Sequence, residues 1–223
     1  MVRNAELAHT TAMPGVKQIV NLLDDSTAGR RHQIMWIDGV GGFLLCHQDD
    51  VMIGQATSVP TADLLIMGDL SRQAIAIRRT GSDYLLQPYQ ETRIEDVKTN
   101  RPQLLRHCQT IAVGTSVRLR FSKPSPLSST ARLDLVSHHR WKPAVDGVLL
   151  LADSCIFGPR SPSQVQCPHW QSELLLYKLN GQWCFRTASE TLVDGRVAKS
   201  PFPLVPGMRA SGVDFSFSIE VNS

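Results

Sequence analysis

Four side chains in the C-terminal half belong to types that bind metal: Cys155, Cys167, His169 and Cys184. Their order, Cys-x11-Cys-x-His with a distant fourth cysteine, matches none of the spacings by which short loops present ligands to zinc. His138-His139 beside Arg140 would suit a metal or a protonation switch, yet inside the polar run Ser137 to Pro143 they read as a solvated pair. Gly39-Val40-Gly41-Gly42 is followed by no Lys-Ser or Lys-Thr and runs between two strand-like segments, the wrong context for a phosphate-cradling nucleotide loop. Asp24-Asp25 and Asp49-Asp50 read as a solvated helix end and a turn. No nucleophile stands with a base and no carboxylates pair at acid–base spacing, so the sequence predicts neither an enzyme nor a metal or cofactor site.

The elements that would position any site are short. Of 223 residues 42% are hydrophobic, enough for one large core or two modest ones. The net charge of +3 is too small and too dispersed for a nucleic-acid binder, so no nucleic-acid partner is expected. Apolar windows long enough for a membrane helix are lacking, and the N-terminus does not read as a secretory leader; the expectation is a cytoplasmic protein without a membrane partner. Five cysteines without regular spacing read as small buried thiols in a reducing compartment.

Nearly every apolar run is bounded by Gly, Pro, Asp, Ser or Asn, which predicts an all-β chain of sandwich type. A compound segment occurs twice. Phe43-Leu44-Leu45, Val51 to Gln55, Leu70 to Ile77 and Arg79 to Leu86 are answered by Val148 to Leu151, Cys155 to Pro159, Gln171 to Tyr177 and Leu179 to Phe185. Two copies of a unit this long predict two similar β domains in tandem. The expected partition is an N-terminal extension (1–32) with helical spacing in Val16 to Leu23, a first domain (33–136), a polar linker (137–145) and a second domain (146–223). Trp141, inside the linker, is expected to pack on one domain. Superposition should place Gly54 on Gly158 and Gly81 on Gly181. Alternation predicts that Ile75, Ile77, Leu119 and Phe121, and then Leu175, Tyr177, Phe215 and Phe217, face inward. By the same period, Arg118 and Arg120 read as a solvated sheet face.

The order of these features resembles the forkhead-associated (FHA) domain, and the whole resembles a bacterial protein with two such domains. In the first copy the resemblance is carried by Ile53-Gly54-Gln55, by Asp69 to Ile77 and by Leu104 through Val113-Gly114 to Phe121. In the second it is carried by Phe157-Gly158-Pro159, Ser172 to Leu176, Asp194-Gly195-Arg196 and Leu204 to Gly207 leading to Phe215 and Phe217. The resemblance implies β-sandwiches whose loops at one end bind phosphothreonine peptides through an arginine, a serine, a loop-bracing histidine and a backbone-holding asparagine.

Several of those positions are altered. Gln55 and Pro159 stand at the arginine position, with Arg160 following; Ala74 and Leu174 stand at the histidine position. Ser71 keeps the phosphate serine, whereas Gln171 or Ser172 occupies its place in the second copy. Gln87-Pro88 and Thr187-Ala188 fall where the asparagine is expected. A dianion without its guanidinium fork loses a charge-assisted contact. The expected function is therefore a non-enzymatic protein-interaction module with weakened or lost phosphate readout, its partner a protein. The rival expectation is a phosphothreonine-peptide reader in serine/threonine-kinase signalling, acting through Gln55, Ser71 and Arg72 of the first domain. The oligomeric state is left open.

Overall fold

Branched and aromatic side chains pack well on a pleated surface, and the Gly, Asn and Asp between them tolerate the left-handed backbone of tight turns. The computed structural model describes residues 32–222, and these form strands with no helix among them. The first are β1 (His32–Ile37), β2 (Gly41–Cys46), β3 (Asp50–Gln55), β4 (Leu64–Met67), β5 (Ile75–Thr80) and β6 (Asp83–Pro88). Then come β7 (Thr92–Ile94), β8 (Val97–Thr99), β9 (Gln103–Leu105), β10 (Gln109–Val113), β11 (Val117–Ser122), β12 (Ala131–Leu135) and β13 (Arg140–Lys142). Five more follow as β14 (Gly147–Leu150), β15 (Ser154–Gly158), β16 (Val165–Gln166), β17 (Leu174–Leu179) and β18 (Gln182–Thr187). The last are β19 (Thr191–Val193), β20 (Arg196–Ala198), β21 (Phe202–Pro203), β22 (Arg209–Ser211) and β23 (Ser216–Asn222). The helical spacing of Val16 to Leu23, and residues 1–31 of the expected extension, lie outside the described residues.

The strands build three sheets. One has twelve strands in the order β20-β19-β22-β23-β1-β2-β14-β12-β11-β10-β7-β8; the others run β13-β4-β3-β5-β6-β9 and β16-β15-β17-β18-β21. At the middle of the long sheet β2 and β14 pair in parallel, Phe43 opposite Gly147 and Leu44 opposite Val148. Leu44, Cys46, Val148 and Leu150 point into one core beneath the six-stranded sheet, while Phe43, Leu45, Leu149 and Leu151 point into another beneath the five-stranded sheet. The smaller sheets therefore cover opposite faces of the long one. A strand buried on both faces has no use for a polar alternate, which is why these two segments read as unbroken apolar runs. The two glycines that open β2 are held by close packing: a Cβ on Gly41 would come within 2.5 Å of the Asp146 carboxylate and one on Gly42 within 2.3 Å of the Trp36 ring.

Strand β1 pairs with β23 and carries Met35 and Ile37 into the second core, yet β2 leads directly into β3 of the first. Strand β12 pairs with β11 and carries Ala131 and Leu133 into the first core, and β14 leads into β15 of the second. The expected cut at 137–145 thus does not follow the cores. That stretch is no free linker: Arg140, Trp141 and Lys142 pair with Met67, Ile66 and Leu65, and Trp141 is buried in the first core. A polar composition concealed the strand because only one of its residues faces inward.

Apart from β13, which has no counterpart, the pairings of the two sandwiches correspond strand for strand. Ile53 opposes Ile75, which opposes Pro88; Phe157 opposes Leu174, which opposes Thr187. Gly54 and Gly158 then hold the same place, as expected, but Leu174 matches Ile75 rather than Ala74, and Glu173 takes the place of Ala74. The same one-residue slip moves the turn, so that Asn180 (φ 51°) rather than Gly181 corresponds to Gly81 (φ 62°). It also inverts β17. Leu174 and Leu176 face the core and Leu175 and Tyr177 face away, because a shift of one residue exchanges the faces of a strand. Ile75, Ile77, Leu119, Phe121, Phe215 and Phe217 are buried in the expected cores.

Candidate functional site

One end of the first sandwich gathers the loops. β3 and β4 run parallel and finish side by side, β5 starts beside them, and β6 ends opposite Ile75. Segments 68–74, 89–91, 114–116 and 136–139 therefore converge on Gln55. The loop 68–74 is pressed onto β3: a Cβ on Gly54 would come within 1.9 Å of the carbonyl oxygen of Arg72, so only glycine fits. That approach lets the Gln55 amide donate to the Ser71 carbonyl at 3.0 Å and the Ala74 amide donate to Ile53 at 2.9 Å. The carbonyl of Ala74, itself buried, accepts from the amides of Tyr89 and Gln90.

The three residues singled out by sequence are thus neighbours, but their donors are engaged unequally. Gln55 Nε2 donates to the Gly68 carbonyl at 3.2 Å. The Ser71 amide donates to Gln90 Oε1 at 2.7 Å. The Ser71 hydroxyl and the Arg72 guanidinium are exposed and bond to no described residue. Sequence reasoning missed two participants. Gln90 braces the loop through its side-chain amide, the work assigned to a histidine at position 74. His139 packs against Gly68, within 3.3 Å of Ser116 Oγ and 2.9 Å of Ser137 Oγ, and its ring stacks on His138 at 4.3 Å between centroids. Burial, and then the neighbouring His138, hold the His139 imidazole below its ordinary pKa, which favours a neutral ring. No signal marked Gln90; His139 was visible but hidden in a polar run. Around these groups Val59, Met67 and Tyr89 are largely exposed, at 74%, 59% and 59%.

The corresponding end of the second sandwich is closed differently. The amide of Gln171 donates to the carboxylate of Asp214, Ser172 Oγ meets Ser189 Oγ at 3.3 Å, and Leu174 lies in the core. Pro159 offers no donor, and Arg160 is exposed. An anion arriving here would face a carboxylate. Cys155 and Cys167 are buried in the same core, and burial pushes the Cys167 thiol up to about 12, whereas His169 is exposed; among the described residues no three side chains of metal-binding type come together.

No protein-family model and no curated protein sequence matches the chain. Two solved structures are similar to it. One is the FHA domain of Rv0020c, 17% identical, with a TM-score of 0.25, covering 40% of this chain and 91% of that one. The other is the N-terminal FHA domain from EssC, a component of the bacterial type VII secretion apparatus, 12% identical, with a TM-score of 0.24, covering 87% of this chain and 95% of that one. With scores of this size, the all-β architecture rests on the strand pairings themselves.

Proposed function

We propose that the chain is a non-enzymatic protein-interaction module made of two FHA-like sandwiches in tandem, and that the first loop end binds a protein partner through apolar and aromatic anchors rather than through phosphate. One observation carries this reading: three of the loop donors that would greet a phosphate already donate inside the protein, Gln55 Nε2 to Gly68, the Ser71 amide to Gln90 and the Gln171 amide to Asp214, which leaves to the first loop the Ser71 hydroxyl and the Arg72 guanidinium. A donor committed to an internal acceptor must break that bond before it binds an anion, which cancels most of the gain. Exposed Val59, Met67 and Tyr89 remain as anchors. The reading includes a reducing compartment, which five cysteines without regular spacing favour. A pull-down from native extract, with and without phosphatase, tests it. Retention of the partner after phosphatase, and its loss with Tyr89→Ala plus Met67→Ala, is expected; loss of the partner after phosphatase would reject it.

A second reading, a phosphothreonine-peptide reader, is favoured by the exposed hydroxyl of Ser71 and the exposed guanidinium of Arg72, which bond to no described residue. It predicts that a phosphothreonine peptide binds far more tightly than its unphosphorylated twin and that Ser71→Ala plus Arg72→Ala abolishes the difference.

A further inference from the structure

The outer face of the long sheet differs between its halves in a way the shared pairing makes measurable. In the first half, Lys98 stands opposite Arg93, Arg93 opposite Ala112 and Ala112 opposite Arg118, across β8, β7, β10 and β11. Arg120 follows two residues on, on the same face. In the second half the same pairings run Val197, Leu192, Ser211 and Ser216, with Ser218 two residues on. Four cations thus occupy positions where an equally placed set of strands carries none. The second half places its charges elsewhere on that face, Arg209 opposite Ser218 and Glu220 two residues beyond it, and leaves these four positions neutral.

The cations are only partly neutralised. Glu91 serves both Arg93 at 3.1 Å and Lys98 at 3.6 Å. Asp134, opposite Arg120, is taken by Arg132 at 2.7 Å. Arg118 and Arg120 are exposed and make no ion pair with a described residue. Between the rows Ala112 is only 8% exposed, so a small buried side chain separates Arg93 from Arg118.

We propose that this face, β8-β7-β10-β11, docks an extended acidic segment of a protein partner, with Arg118 and Arg120 reading carboxylates two residues apart. Alternate residues of a strand lie about 6.8 Å apart, which is also the spacing of Asp or Glu side chains at alternate positions of an extended peptide. Each guanidinium offers a planar fork to one carboxylate. A single-stranded nucleic acid fits less well, because no aromatic side chain stands among Arg93, Lys98, Thr110, Ala112, Arg118 and Arg120 to stack a base. The proposal goes beyond the loop-end reading and does not depend on it.

The test is fluorescence anisotropy on the full chain at low salt with a labelled peptide alternating Asp and Ser. A single-stranded oligonucleotide and phosphatidylserine-containing vesicles are the other probes. Arg118→Ser with Arg120→Ser, the residues found at the matching places of the second half, should weaken peptide binding about tenfold or more with an unchanged melting temperature. Added salt should weaken binding by the unaltered protein. Ser71→Ala with Arg72→Ala should leave it intact, which separates this face from the loop end. Absence of peptide binding, equal binding by the double variant, or tighter binding of the oligonucleotide or the vesicles would each overturn the proposal.

Discussion

The two sandwiches pair their strands alike and diverge wherever a side chain leaves the core. Inward positions match in kind: Ile53 and Phe157, Ile75 and Leu174, Leu119 and Phe217 are all buried. Outward positions do not: Arg93, Lys98, Arg118 and Arg120 answer to Leu192, Val197, Ser216 and Ser218. At the loop ends a neutral amide, Gln90, holds the first loop and a carboxylate, Asp214, holds the second. Packing tolerates little change of shape, whereas the water side of the same strands is free to acquire or shed charge. Differences in binding between the halves should therefore come from outward residues, and differences in stability from inward ones.

The largest expected effect probes what the halves share. Phe121→Ala in the first core and Phe217→Ala in the second should each cost about 3–5 kcal/mol. Because β2 and β14 line both cores, either variant should lower one common calorimetric transition; two separated transitions would break the picture of a shared sheet. Next come the paired glycines. Gly54→Ala drives a Cβ to 1.9 Å from a backbone oxygen, whereas at Gly158 the first atom met is Cγ of Glu173 at 2.9 Å, part of a side chain that can turn away. Chemical denaturation should show about 1–3 kcal/mol lost for Gly54→Ala and clearly less for Gly158→Ala. Equal losses would mean that the two loops are held alike.

The loop braces come third. Gln90→Ala and Asp214→Ala each remove an acceptor from a loop amide and should cost about 1 kcal/mol. Only Asp214→Ala also removes a negative charge, so it alone should raise the affinity of the second loop end for inorganic phosphate, read by NMR titration of the Gln171 amide. The smallest effect belongs to the outer face. Leu192→Arg with Val197→Lys copies the first half onto the second and should change stability by no more than about 0.5 kcal/mol. A larger loss in thermal melting would show that Leu192 and Val197 contribute packing.

Sequence carried the all-β architecture and the recurrence because turn residues and alternating apolar positions are local signals. It misjudged what depends on partners far along the chain. Arg140-Trp141-Lys142 became a strand only because Met67 offered an edge, and Leu174 faced inward only because Phe157 fixed the register. Gln55, Ser71 and Arg72 were found through their order, while Gln90 reaches Ser71 across 19 positions and bears no local mark.

Strand β1 lies against β23, and Trp36 Nε1 donates to Glu220 at 2.6 Å across 184 positions. On the ribosome, the earliest of these strands can pair with β2 at once but must keep its other edge open until the latest has emerged. The dependence is one-sided: the first core draws on residues 44–150 alone, whereas the second takes Met35 and Ile37 from β1 and cannot close until β23 is made. Domain-by-domain maturation, the usual safeguard of long chains against misassembly, is open to the first sandwich and denied to the second. Its nascent form should spend the whole interval of synthesis with an open sheet edge, and so depend on a holding chaperone more than its modest length implies.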